Sequence, residues 1–494
     1  MKKKTKILLI QPPMTLLKNE IKSLIFPLGL AYIAAVLEKE KDYDVKVLDC
    51  VALGHDTSFE TKGMIHFGLD WKEIKIKIKE INPDIVGISC LFSSQSKNSH
   101  EVAKIVKDIN KNIKVIFGGA HPSSIPTEVL KDKNIDFIVI GEGEETISQL
   151  IKNIEDIKKI SEIDGIAFKV NRHIKVNPKT KYFEDINQLP LPARHLFPFD
   201  IYLNSKMGHG SDLMRIPLTS MITSRGCPFN CVFCSVHTVW GRKFRKRDPK
   251  QVVDEIELLV KKYGVKEIHF EDDNLTLDRE RILKICKEII KRKIDIKWTT
   301  PNGVAIWTLD EEVLKYIKKS GCYKLCFGIE SADPTTQKFI RKGINLEKSK
   351  KIIREANKMG IWTHGFFVIG FPYETKEQIN NTLKFAYTSD LDFASFFLAT
   401  PYPKTDLYNI MKKDKMIENI TWESLRVSNA SIKTKNFTSE ELITLQKKLF
   451  KQFLFWKIVY SFNLLNTWYR IRKLKSKDDL KFILRYVKRF FQII

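Results

Sequence analysis

The stretch SMITSRGCPFNCVFCSV, Ser220–Val236, places Cys227, Cys231 and Cys234 in the spacing Cys-x3-Cys-x2-Cys. The other five cysteines, Cys50, Cys90, Cys286, Cys322 and Cys326, are scattered along the chain. Three soft donors on one short loop form a metal-ligand set, and zinc is the first metal to weigh. A structural zinc site has four protein ligands, often from paired Cys-x2-Cys units. His237 is the nearest fourth donor, but it follows Cys234 by only three residues in an already tight loop. The set suits better an iron–sulfur cluster in which one iron lacks a cysteine and stays open to a ligand.

The cysteines follow a strand, LTSMITSRG, that opens a regular series. Further strand patterns stand at VKEIHFEDD, IKWTTPNGV, YKLCFGIES, WTHGFFVIG and FASFFLATP. Stretches between them, such as DPKQVVDEIELLVKKYG and LDEEVLKYIKKSG, start at an Asp cap signal and end in glycine, as helices do. Six βα units predict an incomplete parallel barrel, whose chemistry sits at the C-terminal ends of its strands.

Upstream, KILLIQPP, DVKVLDC, DIVGISC, IKVIFGG and IDFIVIGEGE read as five strands separated by amphipathic helices. This α/β alternation predicts a doubly wound, Rossmann-like parallel sheet, with ligands beyond the carboxyl ends of the strands. Those ends carry Gln11-Pro12-Pro13, Ser93-Ser94-Gln95, Gly118-Gly119-Ala120-His121-Pro122 and Gly141-Glu142-Gly143-Glu144, where small residues let a bulky ligand approach backbone. The chain thus divides into a Rossmann-like domain over 1–160 and a linker over 161–216. The linker holds a hairpin at DGIAFKVNRHIKVN and the proline-bearing LPLPARHLFP. The barrel over 217–420 and a helical C-terminal region over 421–494 follow.

At 494 residues, 43% hydrophobic and 29% charged, the chain reads as globular with more than one core. The net charge of +25 raises the question of a polyanionic partner, but the lysines lie mostly on polar helix faces, as in WKEIKIKIKE, so no nucleic-acid partner is expected. The opening MKKKTKILLIQPP has too short an apolar run for a secretory signal, which needs about seven to fifteen residues. A cytoplasmic location, where thiols stay reduced, is therefore expected.

The cysteine loop, with Phe233 just before its third cysteine, resembles that of radical S-adenosylmethionine (SAM) enzymes. The resemblance implies a 4Fe-4S cluster on Cys227, Cys231 and Cys234 whose open iron chelates the amino and carboxylate groups of SAM. Electron transfer then cleaves the sulfonium to a 5'-deoxyadenosyl radical, the electron coming from a donor such as flavodoxin or ferredoxin. FEDDN resembles the family segment that receives the methionine amino group, implicating Glu271 and Asp272. GIES, Gly328–Ser331, resembles the segment near ribose and carboxylate, implicating Glu330 and Ser331. FFVIGFP, Phe366–Pro372, resembles the segment bordering adenine. The N-terminal domain resembles the cobalamin-binding domain of one large branch, implicating Ser93, Ser94, Gln95, Gly118, Gly119, His121, Gly141 and Glu142. The Asp-x-His-x-x-Gly motif that supplies a cobalt ligand in other cobalamin proteins is absent, and His121 is expected to shape its loop or touch the corrin.

The branch implies methylation of an unactivated carbon on a biosynthetic intermediate, small molecule or lipid. The alternative is oxidative cyclisation, as in anaerobic magnesium-protoporphyrin monomethyl ester cyclases. Methylthio transfer needs a second cluster on three N-terminal cysteines, and that half has only Cys50 and Cys90. A non-enzymatic zinc module binding nucleic acid through WGRKFRKRDPK is the distant alternative. Cys90, Cys286, Cys322 and Cys326 read as packing residues. The C-terminal FLFWKIVYSFNLLNTWYRIRKLK is too short and interrupted to span a bilayer. It reads either as a helix packed on the barrel or as a peripheral surface helix, with Trp456, Trp468 and Tyr469 at headgroup depth and Arg470, Arg472 and Lys473 on anionic lipid.

Overall fold

The computed structural model describes residues 4–18, 20–61, 63–171, 173–209, 213–417, 420–427, 432–461 and 473–493. It divides into two compact units: residues 1–202 with 235–245, and 203–234 with 246–494.

In the first unit, β1 (Thr5–Gln11), β2 (Tyr43–Asp49), β3 (Ile85–Ser89), β4 (Lys114–Gly118) and β5 (Phe137–Val139) form the expected parallel core. The order β5-β4-β3-β1-β2 reverses direction between β1 and β3, and at such a switch point the carboxyl ends splay open for a ligand. Alternation along each strand explains why both faces are apolar. Leu8, Ile10, Val86, Ile88, Val115 and Phe117 turn to the layer holding Ile74, Ile78, Val102 and Val106. Ile7, Leu9, Ile85, Ile116, Phe137 and Val139 turn to the other, against Ala34, Ala35, Ile147 and Leu150. Each fully buried Val, Leu, Ile or Phe among them contributes about 1.5–3 kcal/mol.

The hairpin expected within a linker is instead part of this sheet. β6 (Ile166–Val170) pairs antiparallel with β5, and β7 (His173–Asn177) with β6. Phe168 and Ala167 are wholly buried, so burial of apolar surface, not linker flexibility, fixes the segment. Beyond it, Phe26 takes edge contacts from Phe197, Phe199 and Tyr202. The Tyr202 hydroxyl donates to Asp49 Oδ2 at 2.6 Å.

The second unit contains six parallel strands in chain order: β8 (Leu218–Met221), β9 (Glu267–Phe270), β10 (Lys297–Thr299), β11 (Cys322–Glu330), β12 (Trp362–Ile369) and β13 (Phe393–Leu398). This is the open wall of a six-unit βα barrel. Helix Pro249–Tyr263 forms where the capping pattern predicts: Asp248 accepts from Lys250 N at 2.8 Å, and the helix stops at Gly264. One strand face is apolar and meets helices, as Phe367 does Phe385 and Phe396 does Phe453. The opposite face is polar. Register aligns Ser220, His269, Thr299 and Lys324 in one row across β8 to β11, and all four are buried.

The C-terminal helices serve this unit. Helix Ser439–Ser461 buries Leu442, Leu449 and Phe453, and Gln446 Nε2 donates to Phe396 O at 2.7 Å. Helix Lys477–Ile493 inserts Phe482 among Tyr323, Trp362 and Phe393 near the starts of β11, β12 and β13. Lys473, expected on lipid headgroups in the surface-helix reading, is 3% exposed and donates to Asp392 and Asn357 Oδ1. A lysine with a buried carboxylate partner has no reason to face lipid. Trp456 stacks on Tyr387 at 5.2 Å. Trp468, Tyr469, Arg470 and Arg472 lie outside the described residues. Among the described residues no helix is long and apolar enough to cross a membrane.

Asp49 yields a pH prediction. It is completely buried, and desolvation raises its carboxyl to about 6 despite the Tyr202 and Ala52 hydrogen bonds. The folded state therefore keeps a proton that the unfolded chain releases at lower pH. The resulting stability is full below the unfolded pKa and is lost as pH rises through about 6. A rise of this size corresponds to about 3 kcal/mol. Between about pH 4.5 and 7.5, hydrogen exchange in β1 and β2 should accelerate in the wild type relative to Asp49→Asn. A constant difference between the two proteins contradicts the assignment.

Candidate functional site

At the strand ends of the first unit, several expected ligand residues hold the loops themselves. His121 is 2% exposed, and its Nδ1 lies 2.9 Å from Ser93 Oγ. Burial depresses its pKa to about 4, so the ring is neutral and shapes the loop. The Gln95 side chain is bonded in both directions to the Thr15 backbone, Oε1 accepting at 2.8 Å and Nε2 donating at 3.0 Å. Glu142, 3% exposed, accepts from Arg245 Nη1 and from Phe183 N. This pairing overturns the reading of WGRKFRKRDPK as a nucleic-acid patch: Arg245 and Arg247 are both buried, the second paired with Glu255.

What remains open beside β3 and β4 has a distinct character. A Cβ on Gly119, whose φ is +115°, would sit 2.5 Å from Cys90 O, so only glycine lets these loops close on one another. A Cβ on Gly118 would meet nothing within 4 Å. Leu91 and Phe92, directly after β3, are 54% and 53% exposed. An apolar shelf beside a bare glycyl backbone fits a broad, flat, largely apolar ligand such as a corrin. The signal for Leu91 and Phe92 was present in the sequence as an apolar run continuing past the end of the strand.

In the second unit the cysteine loop is held at its foot by Asp272. Its carboxylate, 2% exposed, accepts from Thr223 N, from Thr223 Oγ1 at 2.7 Å and from Ser224 Oγ, while Arg281 Nη2 donates to Thr223 O at 2.7 Å. Asp272, expected to take the methionine amino group, is thus occupied in aiming the loop. The loop backbone is tied on two sides: Val232 N donates to Ile340 O at 3.3 Å, and Leu407 N to Val232 O at 2.9 Å. Cys227, Cys231 and Cys234 are half-buried and free of disulfides. Burial pushes the Cys227 thiol up, so metal loading would release its proton. Phe233 packs on Phe371 at 6.0 Å, and Phe229 edge-on to Trp307 at 5.3 Å.

These residues fit a cluster: three cysteines on one loop are the soft donor set that a 4Fe-4S cubane takes. Thiolates of such a cubane bind separate irons and need not converge on one point.

Two charged pairs adjoin the loop and the barrel interior. Glu330 stands at φ +66° at the end of β11 and pairs with Lys342 at 2.7 Å, both 11% exposed at the side chain. A Cβ on Gly328 would lie 2.8 Å from Glu330 Oε1 and 2.9 Å from Lys342 Nζ, so this glycine makes the recess that the pair occupies. Lys342 also lies 6.0 Å from the Trp307 ring. Burial pulls the Lys342 pKa down, but Glu330 and the Cys231 and Cys234 thiols outweigh it and the net direction is up. Glu271 accepts from Ser220 Oγ at 3.2 Å and lies 2.8 Å from His209 Nδ1. Burial lowers the pKa of His209, Glu271 raises it more, and the ring is held protonated more firmly than usual. Ser331, by contrast, is wholly buried, facing Thr382 Oγ1 at 3.1 Å and accepting from Asp333 N.

The sequence reading missed His209, Lys324 and Lys342. Lys342 sits in RKG after a helix, where a basic residue before glycine reads as an ordinary C-terminal cap.

Comparison with known proteins agrees with this arrangement. Residues 221–386 match the radical SAM superfamily model, and residues 14–151 match the B12 binding domain model. The chain is 35% identical over 450 residues to an uncharacterized methyltransferase of Pyrococcus horikoshii, covering 91% of this chain and 92% of the relative. It is 32% identical over 434 residues to the cytidylyl-2-hydroxyethylphosphonate methyltransferase of Streptomyces wedmorensis, covering 81% and 80%. The fold aligns with the cobalamin-dependent SAM radical enzyme OxsB, solved with aqua-cobalamin and SAM, at a TM-score of 0.70 and 18% identity, over 99% of this chain and 71% of that one. With two family models matched in succession and a relative of this identity along nearly its whole length, the chain belongs to the radical SAM superfamily, among the members that carry a B12 binding domain ahead of the radical SAM domain.

Proposed function

We infer that the protein methylates an unactivated carbon of a small biosynthetic intermediate. The observation that carries this reading is a set of three cysteines, Cys227, Cys231 and Cys234, on one loop whose backbone is tied on both sides, in a chain whose other half presents a shelf suited to a corrin. Both curated relatives described above are named methyltransferases. Cys227, Cys231 and Cys234 would hold the 4Fe-4S cluster. Ser94, Gly118, Gly119 and Gly141, with Leu91 and Phe92, would hold the cobalamin. When bound, the cluster supplies the electron that cleaves SAM, and the cobalamin supplies a methyl group to the substrate carbon.

The chain's own side chains then divide the remaining work. Glu271 orients an ammonium group, with His209 fixing its carboxylate. Lys342 is the cation beside the thiols suited to a carboxylate, and Glu330 accepts from hydroxyl groups. Phe233 shields the loop from water on the Phe371 side. The buried row Ser220, Thr299 and Lys324 offers donors to polar groups inside the barrel. A small-molecule substrate matches this lining.

Two outcomes follow. Glu330→Gln in the reconstituted protein should raise the Kd for SAM about tenfold, the value of one charge-assisted hydrogen bond. Ser331→Ala should leave that Kd within about twofold and lower the urea midpoint, because its hydroxyl serves packing. Equal effects of the two on SAM binding contradict the division of roles.

The reaction itself is tested by incubating reduced holoprotein and SAM bearing a trideuterated methyl group with a small-molecule extract. A new trideuteromethylated compound, absent with Cys231→Ala and absent without cobalamin, is expected. A product that has lost hydrogens and carries no label would replace methylation by oxidative cyclisation.

A further inference from the structure

One side chain builds the Glu330–Lys342 pair as a unit. Gln337, 5% exposed, lies in helix Pro334–Ile340, which follows β11. Its backbone oxygen accepts from Lys342 N at 3.2 Å and its Oε1 from Ile344 N at 3.2 Å, while its Nε2 donates to Ile329 O at 3.3 Å and to Ser331 O. The residues on either side of Glu330 and the backbone of Lys342 are thereby held by the same glutamine. Arg341, at φ +58°, ends the helix in the left-handed conformation and turns the chain at Lys342. The same turn is tied to the cysteine loop, since Val232 N donates to Ile340 O at 3.3 Å. Lys342 is within electrostatic reach of all three thiols. Burial raises the Cys227 thiol, and Lys342 works against that rise. Burial lowers the Lys342 ammonium, and Glu330, Cys231 and Cys234 together raise it further than burial lowers it. The other charged groups around the loop are Asp273, which accepts from Gly226 N and acts on Cys227, the buried Asp272 with Arg281, and the buried Arg225.

We propose that this pair sets the reduction potential of the cluster, with Lys342 raising it and Glu330 lowering it. The proposal rests on the cluster assignment above. It is separate from the contacts with SAM, because it operates before SAM arrives. Reduction adds one electron to the cluster and removes one from the reductant, with no bond made and no proton transferred. The protein acts on such a step through the charges and the solvent it places around the cluster. A cation in a recess poor in water stabilises the added negative charge, and the interaction is screened far less there than at the surface. Glu330, 2.7 Å from Lys342, opposes that field, so the pair holds the potential between the values that either charge alone would give. Gln337 keeps the spacing, and with it the balance.

The test is the midpoint potential of the reconstituted protein without SAM, followed by electron paramagnetic resonance during stepwise reduction with dithionite at about pH 8. Lys342→Met should make the cluster about tenfold harder to reduce, a fall of about 59 mV for one electron, and Glu330→Gln about tenfold easier, a rise of the same size. The double variant Lys342→Met/Glu330→Gln should return to within about twofold of wild type, as should Lys342→Arg, which keeps the charge. Arg341→Gln, at the exposed neighbour paired with Asp406, should stay in that range as well. Shifts of the two single variants in the same direction would mark a packing role and overturn the proposal. Midpoints equal to wild type in both overturn it too, as does an equal fall in Arg341→Gln. Glu330→Gln is isosteric and decides alone where Lys342→Met does not fold: a rise supports the proposal, and no rise overturns it. Absence of a 4Fe-4S signal from the wild type would instead reject the cluster assignment.

Discussion

Asp272 has no access to water, and its position governs the cysteine loop. A lone carboxylate in that environment would be costly, but three donors, Thr223 N, Thr223 Oγ1 and Ser224 Oγ, converge on it, and Arg281 braces the Thr223 backbone. The strand end is thereby fixed immediately before Gly226 and Cys227. Val232 then anchors the far side of the loop through two backbone hydrogen bonds and a buried side chain. Cys227 and Cys231 lie between these anchors, and Cys234 follows two residues beyond Val232.

The barrel interior extends the same logic. Glu267 accepts from Met214 N and Arg215 N, lies 2.8 Å from His269 Nε2 and takes the Tyr323 hydroxyl at 2.8 Å. Glu271 has Ser220 and His209, and Glu330 has Lys342. Each carboxylate is matched before any ligand arrives, so the desolvation cost of several kcal/mol per ion is offset within the fold. A ligand that brings its own ammonium and carboxylate enters a chamber whose dipoles are already oriented, and little reorganisation is left for the moment of reaction.

Much of this was legible in the sequence, because period and punctuation carry the information. The five strands from KILLIQPP to IDFIVIGEGE and the six barrel strands appear where β-branched runs alternate with capped helices. The cysteine spacing needed no tertiary knowledge. Roles that depend on long-range pairing were hidden. His209 meets Glu271 across 62 residues, and Glu142 meets Arg245 across 103. Nothing local marks either pair. Glu271 and Asp272 were separable in principle. Strand alternation puts Glu271 on the face of Ser220 and His269 and sends Asp272 the other way, toward Thr223. The hairpin at 166–177 reads as a linker because its second strand is mostly exposed, yet its first strand completes a buried sheet.

The central claim is that Cys227, Cys231 and Cys234 hold a cluster with one iron open to SAM. Electron paramagnetic resonance of the anaerobically reconstituted, reduced protein tests it most directly. A 4Fe-4S signal that changes shape and position when SAM is added, and is lost in Cys231→Ala, is the predicted result. A cluster signal indifferent to SAM, or zinc in place of iron after reconstitution, would contradict the account.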